Sequence, residues 1–219
     1  MKTDAQLKID VTRELEWDPS INAAHVGVTA KSGVVTLTGH LETFAEKYAI
    51  ERAVQRVEGV KALAIELDVK LAQGHKRSDS EIADAAESAL KWNVLIPSER
   101  VRVKVERGWI TLTGEVDWAY QRSAAEKAVR GLTGVVGVSN SVTLKAVVTP
   151  GDVSARIREA LERHAQREAR HIEVAVAGST VTLRGTVDSW ADREAATGAA
   201  WAAPGITMVV NELKVGTPA

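Results

Sequence analysis

The sequence predicts an α+β fold: three tandem αββαβ units, each a three-stranded sheet with two helices on one face. Two observations predict it. One pattern occurs three times, as G-V-V-T-L-T-G at Gly33–Gly39, G-W-I-T-L-T-G at Gly108–Gly114 and S-T-V-T-L-R-G at Ser179–Gly185. After each closing glycine a second mark recurs at one distance, as Gly59-Val60, Gly134-Val135 and Gly205-Ile206. Such self-similarity marks repeated supersecondary units. Around every copy the apolar spacing also alternates between the helical and the strand period in one order.

Each unit opens on an apolar ladder at i, i+4, i+8: Leu7, Val11, Leu15; Ile82, Ala86, Leu90; Val153, Ile157, Leu161. That spacing puts three side chains on one helix face. Alternating residues follow (Val26, Val28, Ala30; Val101, Val103, Val105; Ile172, Val174, Val176) and predict a half-buried strand. A short turn at Ser32-Gly33, Arg107-Gly108 or Gly178-Ser179 leads to a second alternating run, so the pair reads as a hairpin. The next helix carries Ile50, Ala53, Val54; Ala125, Ala128, Val129; Ala196, Ala199, Ala200, and a glycine ends it. A third alternating run closes the unit, through Leu67, Val142 or Leu213. The units span 1–72, 78–147 and 150–219, with a polar linker near Ala72–Ser80 and Pro150-Gly151 in the second linker. Gly39, Gly114 and Gly185 are expected at the ends of strand two, and Gly59, Gly134 and Gly205 at the ends of helix two. There positive φ or close backbone approach would demand glycine.

The stretches G-V-V-G-V-S-N-S-V-T-L (Gly134–Leu144) and G-I-T-M-V-V-N-E-L-K-V (Gly205–Val215), with the glycine closing strand two, resemble the BON domain, a bacterial module of osmotically induced and nodulation proteins. The first copy departs from the pattern, with Ile65 where the others carry Asn140 and Asn211. The resemblance covers nearly the whole chain. It implies an αββαβ fold and a role in binding phospholipid or attaching to membranes, often under osmotic stress, and no catalytic residues. The two asparagines point toward the helix-covered face, where a bare amide is costly; backbone in a neighbouring turn is the expected partner.

Composition agrees with a globular chain: 219 residues, 45% hydrophobic, 26% charged, with a net charge of −1. Units of this size bury only about 60% of their unfolded surface alone, so packing of the copies on one another is expected. No copy is basic enough to announce a specific nucleic-acid partner. Cysteine is absent, so thiol and disulfide chemistry are excluded. The N-terminus has no apolar h-region and no segment reads as membrane-spanning, so the chain reads as cytoplasmic, or periplasmic if it is a processed form. The five histidines (His25, His40, His75, His164, His171) form no H-x-x-x-H pair, so no metal is expected. No phosphate loop, nucleophile elbow or dinucleotide motif is present, and no cofactor is implied.

The sharpest functional signal lies in copy two. Arg100, Arg102 and Lys104 alternate with valines, which places them together on the open sheet face. Trp109 joins them from the next strand. Cations beside an amphipathic indole suit an anionic phospholipid surface. The alternative is that another copy covers this face, with Trp109 as the inter-domain plug. Trp17 and Trp92, at matching ends of the first helices, read as packing residues. Phe44, Trp118 and Trp190 begin the second helices. The chain thus reads as a non-enzymatic binding module resembling BON proteins that associate with phospholipid membranes or the cell envelope. The alternative function is a protein–protein or self-association scaffold without direct lipid binding, which leaves a homo-oligomer open.

Overall fold

The computed structural model describes residues 2–145, 153–164 and 172–216, with 161–164 as backbone only. The first repeat runs α1 (Asp4–Trp17), β1 (Val26–Lys31), β2 (Val34–Leu41), α2 (Phe44–Gln55) and β3 (Ala62–Val69). The second runs α3 (Asp79–Lys91), β4 (Val101–Glu106), β5 (Trp109–Val116), α4 (Ala119–Val129) and β6 (Gly137–Leu144). The third runs α5 (Val153–His164), β7 (Ile172–Ala177), β8 (Thr180–Val187), α6 (Trp190–Trp201) and β9 (Met208–Val215). Each repeat forms its own sheet, in the orders β1-β2-β3, β4-β5-β6 and β7-β8-β9. In the first and third sheets the hairpin is antiparallel, and the last strand joins parallel to the middle one. A parallel neighbour requires a crossover, which the second helix supplies. The chain divides into two compact units, one of 1–94, 102–112 and 125–141, the other of 95–101, 113–124 and 142–219.

The predicted ladders form the cores. In the first repeat Leu7, Val11 and Leu15 of α1 meet Ile50, Ala53 and Val54 of α2 over Val35, Leu37 and Leu41 of β2. In the third, Val153 and Ile157 occupy the same places with Ala196, Ala200, Val181 and Leu183. The predicted Leu161 side chain lies outside the described residues. In the second, Ile82, Ala86, Leu90, Ile110, Leu112, Ala125 and Val129 are buried. Because the strands bury alternate residues under the helices, each sheet turns its other face outward.

The hairpins show how local sequence is locked. Ser32 and Gly33 have φ of 53° and 82°, and Arg107 and Gly108 have 52° and 76°. Positive φ at both central positions is the turn whose twist matches the flanking strands. Ser32 and Arg107 resist that geometry, and an acid on the preceding helix supports it. Asp4 accepts the Ser32 N–H at 3.0 Å. Asp79 accepts the N–H groups of both Arg107 and Gly108 at 2.8 Å.

The recurrent glycines of strand two sit within β2, β5 and β8, two residues short of the strand ends where the sequence places them. Gly39, Gly114 and Gly185 have φ of 125°, 134° and 131°. A Cβ on Gly39 would overlap the carbonyl oxygen of His25, and one on Gly114 that of Arg100. The chain entering the sheet therefore crosses too close for a side chain. After α2, α4 and α6, Gly59, Gly134 and Gly205 also have positive φ, at 98°, 93° and 80°.

Both asparagines meet side chains of the second helix. Asn140 donates to the Glu126 carboxylate of α4 at 3.2 Å. Asn211 donates to the Thr197 hydroxyl of α6 at 2.6 Å and accepts the Leu213 N–H at 3.0 Å. Strand three passes under helix two, so a polar side chain there reaches the helix first. In the first repeat Ile65 packs on the core instead.

Candidate functional site

The outward face of the second sheet is built by β4 and β5. Val101 is buried, and Arg102 and Lys104, of the opposite parity, are exposed. On β5, Ile110 and Leu112 are fully buried, which turns Trp109 outward, 47% exposed. Arg100 ends the short turn ahead of β4 and is also exposed. Arg102, Lys104 and Trp109 thus stand on one open face.

Acids not singled out by sequence reasoning share the neighbourhood. Arg100 Nη1 pairs with Asp117 at 2.9 Å, and Lys104 Nζ with Glu106 at 2.9 Å. All four side chains are well exposed. Such pairs contribute at most about 1 kcal/mol each and yield readily to a competing anion. Among the described residues no ion pair within 4.0 Å holds Arg102.

Trp109 does not stand off the sheet. Its six-membered ring lies over Gly137 on β6, where a Cβ would overlap ring carbons, and its Nε1–H donates to Ser139 Oγ at 2.9 Å. Neither Gly137 nor Ser139 was reached from sequence, yet a signal was present. The corresponding cross-strand pairs are Val34 with Ala62 and Thr180 with Met208. The largest residue on the middle strand faces the smallest on its neighbour. A bare strand glycine accepts an aromatic ring as a substitute for its own side chain.

Trp17 and Trp92 correct the sequence reading. They are 85% and 89% exposed, not packed. Val94 is 98% exposed and Leu95 52%. Trp118 is 40% exposed. Trp190 is half-buried, with the Arg193 guanidinium 5.1 Å from its ring centre. Phe44 lines a small cavity of about 110 Å³ with Leu71, His75, Arg130 and Leu132. The Arg130 guanidinium, in the turn just after α4, lies 3.6 Å from the ring centre of Tyr48 on α2, and that of Arg122 lies 4.8 Å from the Trp201 ring centre.

His25 and His40 stack at 4.5 Å. The His164 side chain and His171 lie outside the described residues. Among the described residues no three His, Asp or Glu side chains gather into a metal-binding group, and no helix is long and apolar enough to cross a membrane.

The BON domain model matches residues 3–70, 78–146 and 151–217. The chain belongs to the BON domain family. A curated relative, Osmotically-inducible protein Y of Escherichia coli (strain K12), is 30% identical over 149 residues, 64% of this chain and 74% of that protein. Two solved structures of CdsD, a structural protein of the type III secretion system of Chlamydia trachomatis, also align. The first has 16% identity, covers 96% of this chain and 92% of the other, and has a TM-score of 0.26. The second, its C-terminal domain, has 15% identity, covers 99% and 100%, and has a TM-score of 0.27.

Proposed function

We propose that this BON protein, with repeats 1–72, 78–147 and 150–219 as its domains, is a non-enzymatic module that attaches to anionic phospholipid at the cell envelope of a stressed cell. The observation that carries the lipid reading is the exposure of Arg102, Lys104 and Trp109 together on one sheet face. A lipid phosphate competes with Glu106 for Lys104 and with Asp117 for Arg100, and it meets Arg102 without displacing an acid. The ring of Trp109 offers an apolar surface at headgroup level. The stress context rests on family membership and on a relative named for osmotic induction.

Flotation with vesicles of 30 mol% phosphatidylglycerol in phosphatidylcholine, at low salt, tests this. Each cation near an anionic surface contributes about 1 kcal/mol, so Arg102→Glu with Lys104→Glu is expected to weaken binding by roughly tenfold or more. Ala175→Glu, on the third sheet, is expected to change it little. The thermal midpoint should hold in both. Undiminished binding by the double variant overturns the assignment of this face.

A further inference from the structure

The second repeat carries a second exposed feature, of different chemistry. Between the end of α3 and β4 the chain reads Trp92-Asn93-Val94-Leu95-Ile96-Pro97-Ser98, without a charge. Ile96 is buried and anchors the loop, while Trp92, Val94 and Leu95 are 89%, 98% and 52% exposed. Exposure so nearly complete means that Trp92 and Val94 touch almost nothing of their own chain. Water-exposed apolar groups of this size cost free energy unless something else covers them. Trp17 repeats the feature at the end of α1, at 85% exposure.

We propose that this loop is an insertion tip, whose Trp92 and Val94 enter the headgroup–acyl boundary of a lipid bilayer. Two features favour a bilayer over a protein. The tip is uncharged over seven residues, and charge is what a bilayer interior excludes. Its pairing of an aromatic with aliphatic side chains matches the two depths of the interface, the ring at the headgroups and the aliphatic groups below. The inference rests on the lipid reading above and deepens it. The sheet face supplies a contact that salt screens, and the tip one that salt does not.

The test uses the full chain with the same vesicles at 50 mM and 500 mM NaCl. Binding is expected to retain a salt-resistant fraction. Trp92→Ala with Val94→Asp should weaken binding at least tenfold at either salt and abolish that fraction, with the thermal midpoint unchanged, since both side chains are exposed. Acyl-chain-brominated lipid should quench tryptophan emission in the parent and quench it less in Trp92→Phe. If the parent binds and the double variant binds equally, the tip assignment falls and the lipid reading stands. If the parent binds no vesicle, both fall. A shift from dimer to monomer on gel filtration of the double variant would assign the tip to a second copy and overturn the bilayer assignment.

Discussion

Trp109 covers Gly137: the indole of strand β5 occupies the space a side chain on β6 would fill, and its Nε1–H is held by Ser139 at 2.9 Å. The other repeats divide the same volume differently, as Val34 beside Ala62 and Thr180 beside Met208. The setting of Trp109 on the open face therefore depends on the residue beside it.

The first prediction follows from that contact. Gly137→Val should displace the ring and destabilise the protein by about 1–3 kcal/mol, the usual cost of overpacking. In a Trp109→Ala background the same change should cost far less, because the space is then free. Urea unfolding of the four proteins in a double-mutant cycle checks it. Equal costs in both backgrounds would show that the ring and the glycine are independent.

Gly39 and Gly114 should tolerate alanine poorly. Both have strongly positive φ, and a Cβ on either would overlap a carbonyl oxygen. Each substitution is expected to cost about 2 kcal/mol or more. Gly74→Ala, with nothing within 4 Å of the new Cβ, should fall within about 0.5 kcal/mol of the parent. Thermal unfolding ranks the three.

Asp79 should matter more than Asp4. It accepts two turn N–H groups, Asp4 one. Both acids are exposed, so losses are expected at the low end for charged hydrogen bonds, about 1 kcal/mol for Asp79→Ala and roughly half that for Asp4→Ala. Hydrogen exchange of the Arg107 and Gly108 amides should accelerate in the first variant and remain unchanged in the second.

The capping box of α3 predicts a pH dependence. The backbone and then the hydroxyl of Ser78 hydrogen-bond the Glu81 carboxylate and hold its pKa below the ordinary glutamate value. A folded-state pKa below the unfolded one adds stability that is present above the unfolded value and lost as pH falls through the folded one. Stability should thus decline on acidification below about pH 4.3. Glu81→Gln should lose part of its neutral-pH stability and show a shallower acid decline. Urea midpoints between pH 7 and pH 3 report both. A parallel decline in parent and variant would assign the acid sensitivity elsewhere, to Asp10 or Asp18, whose pKa values are also lowered, chiefly by Lys2 and Ser20.

The sequence by itself determined the element order, the repeat and the core. Leu7, Val11 and Leu15 or Ile110 and Leu112 declare their buried face through spacing alone, because the helical and strand periods are properties of the backbone. The same parity placed Arg102, Lys104 and Trp109 on an open face. Only the tertiary structure decided who stands beside them. Gly137 reaches Trp109 through a crossover, and Asp117 reaches Arg100 across the hairpin, separations that no period encodes. Tertiary structure also decided Trp17 and Trp92. A tryptophan at a helix end has the same sequence signature whether a neighbouring surface covers it or leaves it in water, since coverage depends on the path of the following loop and not on the residue.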